Sequence, residues 1–160
     1  MRACLYALSA MLCLSPVLAE EQPAADGTEV SIIHTRGHGA ILADRQGRPL
    51  YVREPLQREE LFAEAGWNDS DCYDACAEMW PPFLANEGEP VAADSAVRQE
   101  RLGTIQREDG FLQVTYNGYA LYYYAEDEGV PQPRGHGVTD DWGRWKLLSP
   151  RGEPLKDSGD

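Results

Sequence analysis

The sequence predicts a single small, mainly β domain that contains two similar β-hairpin repeats and one or two short helices. Short runs rich in β-branched and aromatic residues alternate with Gly, Pro and Asn turns, which is typical of such a fold. The pattern Gly-x-x-Leu-Tyr occurs twice, at Gly47–Tyr51 and Gly118–Tyr122, and indicates a duplicated hairpin. Residues 28–150 are enough for one hydrophobic core.

The first 19 residues have the features of a secretory signal peptide. Arg2 gives a basic start, the apolar run Leu5–Leu14 is too short to span a bilayer, and cleavage is predicted after Ala19. Cys13 lacks the small preceding residues of a lipidated cysteine, so an exported protein in the periplasm or outside the cell is predicted ahead of a lipoprotein. Residues 20–27 are predicted to form a flexible lead-in.

The formal net charge of the chain is −13 at pH 7. This charge disfavours nucleic acid and anionic lipid as partners. After signal cleavage no segment is apolar enough to cross a membrane. The partner classes that remain are an envelope protein and a small ligand.

The first half of the domain predicts a strand, a turn, a hairpin and a helix. Thr28–His34 is a β-rich run, and Arg36–Gly39 is a turn. Two further runs, Ala40–Asp44 and Pro49–Arg53, predict a hairpin. Pro55–Gly66 begins and ends with residues suited to helix termini, so a short helix is predicted there.

The second half predicts a loop, a clearer hairpin and a final strand. Asn86–Arg101 is polar and predicts a surface loop with one helical turn. Asn117-Gly118 between two β-rich runs is a strong hairpin signal. Glu128–Gly143 predicts a loop and Arg144–Pro150 a last strand, while residues 151–160 predict a polar, frayed tail.

The tetrapeptide Arg-Gly-His-Gly also occurs twice, at Arg36–Gly39 and Arg134–Gly137. The first copy precedes its hairpin and the second follows its hairpin. Because the two copies do not share the register of the hairpins, chance is a fair explanation for this pair.

Several motifs resemble the secreted-repeat family of bacterial lipoproteins, which is named for a Tyr-x4-Asp motif. They are GAILADRQGRPLY, CYDACAEMWPPFL, RLGTIQREDGFLQVTYNGYALYYYAED and WKLLSP, and they stand in the family's order between residues 39 and 150. The resemblance implies an exported protein built from a repeated hairpin, with no catalytic residues and no established molecular function.

The motif residues carried over are Tyr51, Tyr122, Asp127 and the segment Trp80-Pro81-Pro82. Tyr122 and Asp127 complete the Tyr-x4-Asp motif of the second repeat. In the first repeat Tyr51 fits, but Leu56 stands where the aspartate belongs. We expect a structural role for the motif, because a buried tyrosine hydroxyl needs a partner and a carboxylate can cap a turn.

Cys72 and Cys76 remain after signal cleavage, and a disulfide is the default for two cysteines in an oxidising compartment. Side chains four residues apart on a regular helix are roughly 5–6 Å apart at Cβ, which exceeds the ~3.5–4.5 Å of a disulfide. The segment must therefore be a distorted turn or a helix end. The alternative is a copper-binding or thiol-redox site in which Met79 and His38 or His136 join the two cysteines.

Other chemistry is less compatible with the sequence. Haem attachment needs Cys-x-x-Cys-His, and structural zinc needs four ligands at suitable spacing. No nucleophile elbow, phosphate loop or glycosidase acid pair is recognised. The sequence therefore predicts a non-enzymatic binding or structural module without a cofactor, acting through its acidic and aromatic surface. The tyrosines that could form such a surface, or else fill the core, are Tyr116, Tyr119, Tyr122, Tyr123 and Tyr124.

Overall fold

Short strands joined by turns make up most of the chain that the computed structural model describes, which is residues 28–54, 70–86, 88–127 and 132–157. The mainly β class predicted from the sequence is confirmed. No helix in these residues is long and apolar enough to span a membrane. The elements are β1 Glu29–Thr35, β2 Gly39–Asp44, β3 Tyr51–Glu54, α1 Ala75–Met79, β4 Val91–Ala92, β5 Leu102–Gln106, β6 Leu112–Tyr116, β7 Tyr119–Ala120, β8 Thr139–Asp140 and β9 Gly143–Leu147.

The first repeat contains the antiparallel strands β1 and β2, and Ala43 at the end of β2 forms a bridge with Pro49. β1 and β2 pair antiparallel through the turn that ends at Gly39, whose φ of 69° favours glycine. The chain then turns tightly, since the Asp44 amide donates to the Arg48 carbonyl and the Leu50 amide to the Leu42 carbonyl. This is the hairpin predicted from the sequence. β3 continues away from it and pairs with β9, which also carries β8.

The second repeat has the same plan. β5 and β6 pair antiparallel, and β7 follows after the Asn117-Gly118 turn. Both turn residues have positive φ, 52° and 84°, which is the type I′ geometry that Asn-Gly favours. The second predicted hairpin is therefore confirmed.

The two repeats are related by an approximate twofold arrangement centred on Tyr51 and Tyr122. The Tyr51 amide donates to the Tyr122 carbonyl at 2.8 Å, and the Tyr122 amide donates back to the Tyr51 carbonyl at 2.9 Å. Bonds around this pair recur in both halves. In the first repeat, the Leu42 amide donates to the Leu148 carbonyl and the Leu50 amide donates to the Leu42 carbonyl. The corresponding bonds of the second repeat run from the Val114 amide to the Phe83 carbonyl and from the Leu121 amide to the Val114 carbonyl.

Two apolar clusters form the core. The first contains aliphatic residues of both repeats, with Phe83 and Tyr116. The second contains the disulfide and the large aromatic side chains. Of the five tyrosines considered for a binding surface, Tyr116 and Tyr122 are buried and the others are half-buried. Members of the second cluster are Ile41, Tyr51, Cys72, Cys76, Trp80, Ala120, Tyr122, Trp145 and Leu147.

Other predictions have mixed outcomes. The loop expected at residues 86–101 contains β4 and a 3₁₀ turn at Gln99–Arg101. The helix predicted at Pro55–Gly66 lies outside the described residues. The prediction of a frayed tail is wrong for residues 151–157. The Leu155 amide donates to the Leu147 carbonyl, and Asp157 forms ion pairs with Arg144 and Lys146.

Candidate functional site

The Tyr-x4-Asp motif acts between the repeats. The Tyr51 hydroxyl of the first repeat donates to Oδ2 of Asp127 in the second at 2.5 Å. Asp127 Oδ1 accepts the Arg134 amide at 2.7 Å, and the Tyr51 hydroxyl accepts the Gly135 amide at 3.2 Å. This pair joins the end of the second hairpin to the first repeat, so the buried phenol and the half-buried carboxylate both have partners.

Burial controls the ionisation of this pair. It raises the pKa of the Tyr51 hydroxyl, and the hydrogen bond to Asp127 raises that pKa further. Burial also raises the pKa of the Asp127 carboxyl, while the hydrogen bond from Tyr51 acts in the opposite direction. The phenol is therefore a neutral donor, and it is unsuited to act as a base at physiological pH.

Tyr122 has a different partner, because the first repeat lacks the motif aspartate. Its hydroxyl is hydrogen-bonded to the side chain of Gln113, and burial raises the pKa of this phenol. Gln113 is itself fully buried and donates to the Leu121 carbonyl at 2.7 Å. The side chain of Gln113, a neutral amide of the second repeat, thus serves Tyr122 as the Asp127 carboxylate serves Tyr51.

Trp80 lies at the centre of the aromatic cluster. It is fully buried and stacks on Trp145 at a centroid distance of 4.0 Å and on Tyr124 at 4.2 Å. Asp140 fixes both indoles, accepting the Nε1–H of Trp80 at 2.7 Å and that of Trp145 at 3.1 Å. Asp140 Oδ1 also accepts the backbone amides of Trp142 and Gly143. One carboxylate therefore sets the position of two stacked rings.

The two prolines after Trp80 contribute through the backbone. The Pro81 carbonyl accepts the Tyr123 amide at 2.8 Å, and Pro82 forms a β-bridge with Tyr122. Proline has no amide hydrogen, so it can occupy an edge position without leaving a donor unpaired. The segment consequently lies against the centre of the second repeat.

The two cysteines form the predicted disulfide, with a Cα–Cα distance of 5.2 Å. Cys72 precedes the helix and Cys76 lies inside α1, while Asp74 between them has a φ of 50°. The expected distortion at a helix end is therefore present. Both sulfurs are buried in the aromatic cluster.

Arg107 holds this turn from the second repeat. Its guanidinium, which is 1% exposed, donates to the Ser70 and Cys72 carbonyls at 3.1 and 3.0 Å. It also bonds Asp109 and the Gln113 side chain, and it lies over the Tyr73 ring at 4.4 Å. All five donors of the side chain can be accounted for in this way.

The alternative copper ligands are not assembled around the cysteines. His38 and His136 pack edge-to-face at 4.8 Å, so the two Arg-Gly-His-Gly turns meet in space. His136 Nδ1 accepts the Leu147 amide, and its Nε2 lies 3.1 Å from the Lys156 carbonyl. Met79 packs on the aromatic cluster. Within the described ranges no group of three or more His, Cys, Asp or Glu could hold a metal ion.

A polar groove of about 400 Å³ lies on the surface between the turn that follows β2 and the segment after the prolines. Its volume is within the range of small-ligand sites. The side chain of Arg48 lines it, with its guanidinium 4.0 Å from the centre of the Tyr123 ring. The groove is lined by Thr28, Glu29, Asp44, Arg45, Gln46, Arg48, Pro82, Phe83, Leu84, Asn86 and Tyr123.

These features define a duplicated β-hairpin module whose motif side chains bind one another. The second repeat, residues 103–148, matches the model of a family described as a secreted repeat of unknown function. The match covers less than a third of the chain and agrees with the resemblance of its motifs to a secreted family. The comparisons found no matching curated protein and no matching solved structure.

Three residues central to this site were not predicted. Arg107 stands in a polar turn sequence, Asp140 in a generic acidic pair, and Gly135 in a repeat attributed to chance. A Cβ on Gly135 would lie 2.9 Å from the rings of Trp80 and Tyr51. The signal for Gly135 was the recurrence of Arg-Gly-His-Gly, whereas the contacts of Arg107 and Asp140 join residues far apart in sequence.

Proposed function

We propose that this protein is an exported, non-enzymatic module of the bacterial envelope that acts by binding. Residues 1–19 would direct export and be removed. The observation that carries the proposal is the pairing of Tyr51 with Asp127 and of Trp80 with Asp140. The polar groups of the family motif are used inside the protein and hold its two halves together.

Because the motif side chains are bonded inside the protein, binding of another molecule would take place at the surface. A catalytic group must reach a reacting atom by hydrogen-bond distance. The motif groups instead have short internal partners and lie in or beside the core. The groove along Arg48 and Tyr123 is outside the motif, and the side chains of Arg45 and Arg48 that line it are exposed to solvent. It is the region that best supports contact with another molecule.

Copper or thiol-redox chemistry has less support. Soft metals bind thiolates, and the two sulfurs are bonded to each other. They are also buried beneath Trp80, whereas reactive cysteines are partly exposed in electropositive surroundings. The disulfide is better suited to a structural role in the turn before Trp80.

Native mass spectrometry of protein exported by its host, purified without reductant or chelator, tests the proposal. We expect the mass of residues 20–160 less two hydrogens, with no metal or cofactor retained. A Cys72→Ser/Cys76→Ser variant serves as the control for the two-hydrogen difference. Stoichiometric copper or an organic cofactor on the wild-type chain would overturn the proposal.

A further inference from the structure

The groove presents two cations to solvent in a strongly acidic protein. The side chains of Arg45 and Arg48 are 63% and 59% exposed. The carboxylate of Asp44, which lies nearest to them along the chain, is only 3% exposed. The charge that a ligand would meet on this side of the groove is therefore positive.

Asp44 has no capacity left for a ligand. Its Oδ1 accepts the amides of Gln46 and Arg48, each at 2.9 Å. Its Oδ2 accepts Nε of Arg48 at 2.7 Å and the hydroxyl of Tyr123 at 3.0 Å. These four bonds make Asp44 an internal anchor that fixes the turn and orients the guanidinium of Arg48 over the Tyr123 ring.

Arg45 is held less firmly. In the described part of the chain its ion pair is with Glu29, at 3.7 Å, which is longer than a hydrogen bond. The amide side chains of Gln46 and Asn86 also line the groove, and neither has a hydrogen-bond partner among the described residues. The groove thus offers guanidinium and amide donors, and its two carboxylates, Glu29 and Asp44, are 27% and 3% exposed.

We infer that this groove binds the oxyanion group, a carboxylate or a phosphate, of a small ligand. Guanidinium groups match the geometry of both oxyanions and bind them through paired hydrogen bonds. Arg45 is the residue that supplies this contact, and Gln46 and Asn86 donate beside it. The inference rests on the proposed function and names the class of ligand.

Titration of the ¹⁵N-labelled mature chain, residues 20–160, followed by ¹H–¹⁵N NMR, tests this inference. The probes are acetyl-dialanine with a free carboxylate, the same compound as its carboxamide, and inorganic phosphate, all at constant pH and ionic strength. We expect saturable shifts at the amides of Gln46 and Asn86 with the carboxylate, with phosphate or with both. The carboxamide should be at least about tenfold weaker. Comparison of the first and third probes identifies the preferred oxyanion.

Two variants separate a specific site from a general charge effect. Arg45→Gln should weaken binding roughly tenfold or more. Arg98→Gln is a matched control, because Arg98 is 66% exposed and forms an ion pair with Glu100 at the same 3.7 Å. Equal losses in the two variants, or no saturable shift with either anion, would overturn the inference. Equal binding of the carboxamide would overturn the oxyanion class while leaving a binding function in place.

Discussion

Three individual carboxylates connect segments of this protein that are separate in sequence or fix its turns. Asp127 ties Tyr51 to the second repeat, Asp140 orients two indoles, and Asp44 fixes the turn beside the groove. Each accepts several N–H or O–H donors, among them the buried Tyr51 hydroxyl and the indole N–H groups of Trp80 and Trp145. An unmade hydrogen bond of this kind costs about 1–3 kcal/mol, so these residues have large effects for their size.

The Tyr51–Asp127 bond can be measured by a double-mutant cycle. We expect Tyr51→Phe and Asp127→Asn each to lower the free energy of unfolding, with a coupling of about 1–2 kcal/mol, because the two groups bind each other. Urea unfolding of the two single variants and the double variant gives this value. Glu126→Gln, at an exposed neighbouring position, is the control. A coupling near zero would contradict a direct bond.

His136 makes the stability depend on pH. Burial lowers the pKa of its imidazole, and the charges of His38, Lys146 and Arg144 lower it further. The hydrogen bond to the Lys156 carbonyl acts in the opposite direction and raises this pKa. Asp157 also faces the ring at 4.0 Å. An imidazole in the unfolded chain takes up its proton near pH 6.5. Between that value and the lowered pKa the unfolded state binds more protons, so stability falls as the pH falls.

Urea unfolding at pH 7.5 and pH 5.5 tests this dependence. The wild-type protein should lose stability on acidification through that window. His136→Leu removes the titrating group, so its loss over the same interval should be smaller, whatever its stability at neutral pH. Identical losses in the two proteins would show that other groups govern the acid response.

At the level of elements, the cysteine turn depends on a residue of the other repeat. The helix α1 has only five residues and is too short to be stable alone. The disulfide closes the turn covalently, and Arg107 binds its carbonyls from the segment after β5. The turn is therefore positioned by a tertiary contact, and Trp80 directly follows it.

Arg107→Lys tests that contact. Lysine keeps the charge but has three donors in place of five, so some carbonyls would lose their partner. We expect a loss of about 2–4 kcal/mol in unfolding free energy and faster hydrogen exchange at the Cys76 amide. The exposed Arg98→Lys should change neither quantity. Unchanged exchange at Cys76 in Arg107→Lys would contradict the clamping role.

The two Arg-Gly-His-Gly turns allow a second comparison of elements. Gly135 and Gly37 hold the same place in the tetrapeptide, but a Cβ on Gly37 has nothing within 4 Å. Gly135→Ala should cost about 1–3 kcal/mol by overpacking against Trp80 and Tyr51. Gly37→Ala should stay within about 0.5 kcal/mol of wild type. Thermal melts distinguish the two, and equal effects would refute the packing argument.

At the level of the whole molecule, the repeats share one core. The Tyr51–Tyr122 bridge and the Trp80–Trp145 stack both cross between them. We expect a single unfolding transition followed equally by tryptophan fluorescence and circular dichroism. Leu42→Ala and Val114→Ala, at corresponding buried positions, should lower the same midpoint without changing its slope. Phe111→Ala, at a 59% exposed position, should have little effect. Two separate transitions would contradict this view.

Local signals in the sequence predicted local structure. Asn117-Gly118 required positive φ and predicted its hairpin, and the cysteine spacing predicted a distorted helix end. The contacts that join the halves were not predicted, because nothing in the pattern relates Tyr51 to Asp127 or Arg107 to Cys72 across such separations. The meeting of His38 and His136 was missed for the same reason. The sequence predicted the duplication, but it did not predict how the two repeats pack against each other.

The reciprocal bonds at Tyr51 and Tyr122 have the form of an isologous contact, in which each partner offers the other the same groups. A chain with one such repeat would leave these backbone groups unpaired, and a second copy would satisfy them. The protein can thus be understood as a homodimer fused into one polypeptide. Fusion makes association intramolecular and frees each copy to diverge. The buried Gln113 of the second copy corresponds to the buried Ile41 of the first. This pair is an example of such divergence.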